Sequence, residues 1–235
     1  MNIINAVNYE EMSKKGCEIL LDTVRNNPSA SICLASGGSP KRMYELFAEA
    51  VNKENIDISN VTFVKLDDWY DVNINHACTS YTFIQENLLS KLNCQPKQFI
   101  SLQTEGDDYQ QDCDRVQAYL DENPLDVMIL GLGMNGHLGL NEPNSALTLD
   151  THIAPLHEVT KTHDMAEGTP LTRGITIGLK GIFKAKSVLM LVCGSRKEEA
   201  FKNFMSREIT TTTPASLLWL HHNCNTIIDR EKFPQ

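Results

Sequence analysis

Four short polar segments of the sequence combine residue types that bind anions or move protons. Each follows a run of apolar residues with the length of a strand, so each stands where a strand would end. Ligands of open α/β sheets bind beyond the carboxyl ends of the strands, and we therefore expect the four segments to meet in one site. The segments are Ser36-Gly37-Gly38-Ser39, Asp67-Asp68, residues 133–142 and Gly194-Ser195-Arg196-Lys197.

The first and last of these segments have the features of an anion site. In residues 36–39, two glycines would let the backbone approach an anion, two serine hydroxyls add donors, and the helix that Pro40 opens would point its first N–H groups at it. Lys197 is expected in the first turn of a helix, where the interaction of a cation with the helix dipole is unfavourable. A nearby anion would offset this cost. The alternatives are a strand-to-helix turn capped by Ser39 and a solvated lysine. The pattern matches neither the dinucleotide G-x-G-x-x-G motif nor a P-loop.

The second and third segments have the features of a proton-transfer site. Asp67 and Asp68 are expected to point to opposite sides of a strand, which would leave one carboxylate in the cleft as a general base and the other in the scaffold. His137 and Glu142 come from one loop and could form a relay in which the carboxylate orients the imidazole. The alternatives are aspartates that cap loops and a histidine that is hydrogen-bonded in a tight loop.

The cysteines and histidines predict no metal site. Seven cysteines are present without a C-x-x-C pair, and the histidines outside the 133–142 segment lack the spacing of a zinc site. Residues 1–10 lack the basic and apolar regions of a signal peptide, and no apolar run reaches the roughly 18 residues of a membrane helix. We therefore expect a reduced, cytoplasmic protein.

The elements that must position these segments alternate between strands and helices. The runs at 32–35, 127–132 and 188–192 are apolar on both faces, which is typical of parallel strands covered on both sides. The pattern predicts an α/β fold, namely a three-layer Rossmann-like domain with a mostly parallel sheet, as a single domain over residues 1–235. Strands are expected at 31–35, 61–66, 99–102, 126–132, 173–177, 188–192 and 226–228, and helices at 10–26, from 40, at 79–92, 109–120, 195–205 and 214–221.

The composition narrows the class of partner. The chain has 235 residues, of which 41% are hydrophobic, enough for a sizeable core. Its net charge of −9 disfavours a broad nucleic-acid surface, but a local pocket can still be positive on an acidic body. We therefore expect a small-molecule partner, with no nucleic acid and no membrane, while the oligomeric state stays open, a homo-oligomer included.

Taken in order, the four segments resemble the signatures of the amino-sugar-phosphate deaminase/isomerase family over nearly the whole chain. The stretch from Gly131 to Pro143 is the most specific, because the related 6-phosphogluconolactonases share G-x-D-G-H but lack N-E-P. Asn135 stands where the glucosamine-6-phosphate branch has Asp. The galactosamine-6-phosphate branch is more similar, with G-N-G-H-L-G-L-N-E-P and comparable segments at 172–176 and 214–221.

One family feature has no clear match in the sequence. The glucosamine enzymes place an arginine for the phosphate ahead of the penultimate strands, and here Arg173 and Lys161 are only conjectural substitutes. The chain is also shorter at its C-terminus than the allosteric hexameric members, so their effector site is not assumed.

The resemblance implies roles for particular residues. Gly37, Gly38, Ser39 and Lys197 would hold the 6-phosphate, with Ser36 beside them. His137, supported by Glu142 and Asn135, would open the sugar ring by moving a proton at the ring oxygen.

Asp67 would then carry the C2 proton to C1, after which the ketose imine is hydrolysed to ammonia and a ketose 6-phosphate. This chemistry needs no redox cofactor and no obligatory metal. The resemblance thus implies a galactosamine-6-phosphate isomerase/deaminase that gives tagatose 6-phosphate. The alternatives are a glucosamine-6-phosphate deaminase that gives fructose 6-phosphate, a 6-phosphogluconolactonase and a non-catalytic sugar-phosphate sensor.

Overall fold

The computed structural model describes residues 1–166 and 168–234. Its strands are β1 (Asn2–Ala6), β2 (Ser31–Leu34), β3 (Thr62–Lys65), β4 (Asp67–Trp69), β5 (Gln98–Ile100), β6 (Val127–Gly131), β7 (His152–Pro155), β8 (Arg173–Thr176), β9 (Val188–Val192) and β10 (Cys224–Asp229). Its α-helices are α1 (Tyr9–Asn26), α2 (Gly38–Glu54), α3 (Ser80–Asn87), α4 (Tyr109–Glu122), α5 (Leu179–Lys184) and α6 (Glu198–Met205).

Seven of these strands form one parallel sheet in the order β1-β10-β9-β6-β2-β3-β5. Every residue of β2 and of β9 is buried. Because neighbouring residues of a strand point to opposite faces, both faces of the sheet are covered. The prediction of an α/β domain with a mostly parallel, doubly covered sheet is confirmed.

Local capping explains where several helices begin. The side chain of Asn8 accepts a hydrogen bond from the backbone N–H of Glu11 at the start of α1, and Thr79 and Asp108 cap α3 and α4 in the same way. Each cap satisfies an N–H that the helix itself leaves unpaired. The buried stripe of α1 packs against α2 and the β9–β10 part of the sheet.

The strand expected at 173–177 lies outside the parallel sheet. As β8 it is the middle strand of a three-stranded antiparallel sheet, between β4 and β7. In this sheet Asp67 lies opposite Thr176 and Trp69 lies opposite Gly174. Strand periodicity does not report which sheet a strand joins, because that depends on contacts between residues far apart in sequence. The small sheet fixes the backbone of Asp67.

Other differences from the expected elements are local. Strands β1 and β7 and helix α5 were not expected, because they are short and their burial patterns mix exposed and buried positions. The helix expected from 195 begins only at Glu198, so Lys197 is its N-cap residue and does not lie in its first turn. The helix expected at 214–221 is a 3₁₀ helix, Pro214–Leu220.

The strand order reverses at the centre of the sheet. After β2 the chain continues to β3 on one side, whereas β6 pairs with the other side of β2 and leads on towards β9. A crevice opens beyond the carboxyl ends of two strands at such a reversal. Residues 36–39 follow β2 and residues 133–142 follow β6, so two of the four predicted segments flank this crevice. None of the helices in the described part of the chain is both long and apolar enough to cross a membrane.

Candidate active site

A cavity of about 590 Å³ opens at the reversal point of the sheet. All four predicted segments contribute to its wall, since each follows a strand whose carboxyl end points to this edge. Asn135 and Glu142 lie outside the wall, behind the His137 ring. The predicted site residues in the wall are Ser36, Gly37, Gly38, Ser39, Asp67, His137 and Lys197.

One end of the cavity is formed by the start of α2. Gly37 is the N-cap residue and has φ +93°, a left-handed conformation that glycine adopts without strain. The first backbone N–H groups of α2 therefore border the cavity. The alternative in which Ser39 caps the helix is wrong, since Ser39 lies inside α2 and its hydroxyl accepts a hydrogen bond from Cys193 Sγ at 3.3 Å.

Lys197 contributes a positive charge at the same end of the cavity. Its pKa is lowered by burial, and the neighbouring Cys193 works in the opposite direction. Across residues 1–166 and 168–234, no carboxylate oxygen lies within 4 Å of its ammonium group. A largely desolvated cation without a carboxylate partner in the described chain is best compensated by an anion in the cavity.

Asp67 also borders the cavity, and burial is the main cause that raises its pKa to about 6. The negative charge of Asp68 raises it further, whereas His137 and Lys65 lower it. The Ser80 hydroxyl donates to Asp67 Oδ1 at 3.4 Å. Above pH 6 the group is therefore a poorly solvated carboxylate, which makes it a good proton acceptor.

Asp68 belongs to the scaffold, on the opposite side from Asp67 as the strand pattern predicts. Its carboxylate is fully buried and binds Lys65 Nζ at 2.6 Å. It also accepts hydrogen bonds from the backbone N–H groups of Trp69, Ser80 and Tyr81, at 2.9, 2.8 and 3.1 Å. These contacts fix the strand end that carries Asp67 and the start of α3.

The relay predicted between His137 and Glu142 has hydrogen-bonding geometry. His137 Nδ1 lies 3.2 Å from Glu142 Oε2, and Asn135 Nδ2 donates to the same oxygen at 2.8 Å. Burial alone would raise the pKa of Glu142, but hydrogen bonds from His137, Thr160 and Asn135 together outweigh it and lower the pKa to about 2. Glu142 is thus an anion at any working pH and faces His137 from behind.

Asn135 also fixes the loop itself. Its Oδ1 accepts a hydrogen bond from the backbone N–H of His137 at 3.2 Å while its Nδ2 binds Glu142. An aspartate at this position could keep the first bond but could not donate the second. The amide is therefore suited to a site that already contains one carboxylate behind the histidine.

The two conjectural substitutes for the phosphate arginine are wrong. Arg173 forms an exposed double hydrogen bond with Asp71, at 2.6 and 2.7 Å. Lys161 binds Glu158 at 2.6 Å and borders another pocket. Neither residue contributes to the wall of the cavity.

Several residues in contact with the site were not expected from the sequence. Thr160 Oγ1 lies 3.3 Å from His137 Nδ1, and Ser80 Oγ lies 2.7 Å from Ser36 Oγ as well as near Asp67. Tyr9 donates its hydroxyl to the Gly38 carbonyl at 2.6 Å. None of them follows a buried strand, so position relative to the strand ends could not have found them.

Replacement of Asn135 by Asp tests the bond between its amide and Glu142. If Asn135 only oriented His137, Asn135→Asp would be tolerated or would raise activity. The geometry changes this expectation, since two carboxylates would meet at about the present 2.8 Å. We expect kcat/KM at pH 7.5 to fall about tenfold, and the ratio of variant to wild type to recover towards pH 5.5, where the pair shares a proton. Unchanged activity at pH 7.5 would contradict this role for the amide.

Comparison with known proteins shows relatives that match nearly the whole chain. Residues 6–228 match the family model described as glucosamine-6-phosphate isomerases/6-phosphogluconolactonase. The chain is 41% identical over 219 residues to "Putative deaminase AgaI" of Escherichia coli (strain K12), covering 92% of this chain and 87% of that protein. It is 34% identical to the glucosamine-6-phosphate deaminase of Thermoanaerobacter sp. (strain X514), covering 98% and 93%.

Solved structures show the same fold. A monomeric glucosamine-6-phosphate deaminase superposes with a TM-score of 0.91 at 28% identity, over 98% of both chains. The 6-phosphogluconolactonase of Trypanosoma brucei superposes with a TM-score of 0.77 at 18% identity, over 98% of this chain and 96% of that one, a likeness of fold alone. The chain therefore belongs to the family of glucosamine-6-phosphate isomerases and 6-phosphogluconolactonases, and its full-length relatives mark it as an amino-sugar-phosphate deaminase.

Proposed function

We propose that this enzyme converts galactosamine 6-phosphate to tagatose 6-phosphate and ammonia. The observation that carries the proposal is that one cavity is lined both by residues 36–39 and Lys197, whose donors suit a phosphate, and by Asp67 and His137, whose side chains suit proton transfer. The 41% identity to "Putative deaminase AgaI" of E. coli supports a deaminase, and the G-N-G-H-L-G-L-N-E-P stretch, which resembles that of the galactosamine-6-phosphate branch, favours the galactosamine substrate. The 34% identity to a glucosamine-6-phosphate deaminase keeps the glucosamine epimer as the second candidate.

The phosphate binds at the start of α2. The backbone N–H groups beyond Gly37, the Ser36 and Ser39 hydroxyls and the Lys197 ammonium face the same end of the cavity. Backbone donors and one cation bind a phosphate without a large positive surface. This resolves how a chain with a net charge of −9 holds an anionic substrate.

His137 opens the pyranose ring. Its Nδ1 is held by Glu142, so Nε2 is the nitrogen left to exchange a proton with the sugar. The C1 hydroxyl loses a proton, the bond between C1 and the ring oxygen breaks, and the ring oxygen gains a proton as it becomes the C5 hydroxyl. The Glu142 carboxylate stabilises the imidazole of His137 whenever that imidazole carries a positive charge.

Asp67 then moves the C2 proton. Its carboxylate takes the proton from C2 while the aldehyde oxygen gains a proton from water, which leaves an enolamine between C1 and C2. Asp67 returns its proton to C1, and the product is a ketose with an iminium group at C2. Water adds at C2 and ammonia leaves, so the ketose 6-phosphate and ammonia account for all atoms.

The substrate is tested by ammonia release from both epimers. We expect kcat/KM for galactosamine 6-phosphate to exceed that for glucosamine 6-phosphate by at least about tenfold. A preference for the glucosamine epimer would replace the first candidate by the second. Hydrolysis of 6-phosphogluconolactone without ammonia release from either amino sugar would overturn both.

Replacement of Lys197 tests the anion-binding end. Lys197→Met keeps most of the length of the side chain and removes its charge, so we expect KM to rise about 10- to 100-fold with kcat changed by less than tenfold. Lys202→Met removes a charge from an exposed position in α6 and serves as the control. A fall in kcat at unchanged KM would show that Lys197 acts on the chemistry and not on phosphate binding.

A further inference from the structure

His163 faces the anion-binding end of the cavity from the opposite side. It lies in the segment 160–166, which covers part of the cavity and lies outside the parallel sheet. A methyl group in place of the Gly37 hydrogen would lie 3.9 Å from His163 Cε1 and 4.0 Å from its Nε2. The Nε2 edge of the ring is therefore the part of this segment that approaches the turn before α2.

The hydrogen bonds of His163 decide which nitrogen carries the proton. The backbone N–H of Met165 donates to His163 Nδ1 at 3.2 Å, so Nδ1 is an acceptor and carries no hydrogen. A neutral ring must then carry its hydrogen on Nε2. Nε2 has no hydrogen-bond partner in the described part of the chain, and its N–H is left to donate into the cavity.

Contacts on other sides hold the ring in this position. Trp69 packs against it with ring centroids 6.0 Å apart. The next residue, Asp164, binds Arg196 at 2.7 Å and so joins the segment to the loop that carries Lys197. Burial, followed by the positive charges of His137 and Lys197, lowers the pKa of His163, which fits a neutral donor.

We propose that His163 donates its Nε2–H to the phosphate of the substrate and is a further binding residue of this site. That this phosphate belongs to the substrate rests on the proposed function. The wall of the cavity has no arginine free of a carboxylate partner within the described residues, since Arg196 is held by Asp164. A neutral donor in this position adds a directed hydrogen bond without a second buried cation beside Lys197.

The test measures binding of inorganic phosphate by calorimetry, without turnover. His163→Phe keeps a ring against Trp69 but removes the donor, and His222→Phe makes the same change at an exposed position as the control. We expect the Kd of phosphate to rise about tenfold or more in His163→Phe and to stay unchanged in the control. We expect KM for the amino-sugar phosphate to rise by a similar factor, with kcat within about threefold of wild type.

The tautomer gives a second readout in the unaltered protein. Long-range ¹H–¹⁵N spectra should show His163 protonated on Nε2 and should show that resonance shift on addition of phosphate. A ring protonated on Nδ1, a phosphate Kd unchanged in His163→Phe, or no phosphate binding by the wild type would each overturn the inference. If phosphate binds through His163 but neither amino sugar yields ammonia, the inference stands and the proposed function fails.

Discussion

The Asp67→Asn enzyme is expected to lose exchange of the substrate C2 proton with solvent by about 10³- to 10⁴-fold. The amide has almost the shape of the carboxylate but accepts no proton, and a positioned general base contributes about 10²- to 10⁴-fold to such a step. The loss should appear in kcat, because the proposed role of Asp67 is proton transfer, whereas phosphate binding is assigned to residues 36–39 and Lys197. Exchange is measured by deuterium incorporation at C2 and C1, and binding by the Kd of inorganic phosphate.

The same variant carries its own control for folding. The pKa of Asp67 is raised to about 6 in the folded chain, mainly by burial, so the folded protein binds this proton more tightly than the unfolded chain does. The protonated side chain of Asp67 contributes to stability at low pH, and this contribution is lost as pH rises through 6. At neutral pH the ionised side chain lowers the free energy of unfolding. Asp67→Asn should therefore raise the free energy of unfolding at pH 8 by on the order of 1–3 kcal/mol.

The stability difference should vanish below about pH 4, where the carboxyl is protonated in both states. Asp107→Asn removes the same charge from an exposed position and should change the free energy of unfolding little at either pH. A less active variant that is also less stable at pH 8 would indicate a damaged fold. C2 exchange that persists in a stable variant would assign the base to another group.

The surroundings of Asp67 and Glu142 explain why the two carboxylates have different proposed roles. Asp67 is poorly solvated and has few donors, which raises its pKa to about 6, whereas several donors around Glu142 lower its pKa to about 2. A group that takes up and releases a proton needs a pKa near working pH, and a group that orients a histidine needs to stay charged. The split in pKa supports the proposed roles, in which Asp67 is the base and Glu142 is the supporting anion.

Strand ends could be predicted from the sequence because they depend on local pattern. The buried runs before residues 36 and 133 are uninterrupted apolar segments of strand length, and parallel strands bring their carboxyl ends to one edge. The separate directions of Asp67 and Asp68 follow from the alternation of a strand. These local rules place most of the wall of the cavity.

Contacts made by irregular segments could not be predicted in the same way. Thr160 begins a short 3₁₀ turn and His163 lies between this turn and the next, where no periodicity signals which side chain faces inward. Ser80 is brought to Asp67 by the buried carboxylate of Asp68, which holds the start of α3. Such contacts arise from tertiary packing between residues distant in sequence, and a single sequence does not encode them in any local spacing.

Replacement of His137 should have the second large effect. His137→Gln removes the group that moves the proton at the ring oxygen, and we expect kcat to fall about 10²- to 10⁴-fold with the Kd of inorganic phosphate unchanged. His222→Gln changes an exposed histidine and should leave kcat unaltered. A loss of less than tenfold in His137→Gln would mean that ring opening proceeds without this residue.

The role of Glu142 follows from a double-mutant cycle with His137. Glu142 contacts His137 Nδ1 from behind the ring and lies outside the cavity wall, so it acts through the histidine. Glu142→Gln alone should lower kcat about 10- to 100-fold, because a charge-assisted hydrogen bond is lost. In the His137→Gln background the same change should cost less than about threefold, since its target is already gone. If the two losses in kcat multiply in the double variant, Glu142 has a role that is independent of His137. If the double variant is nearly as active as His137→Gln alone, Glu142 acts only through the imidazole.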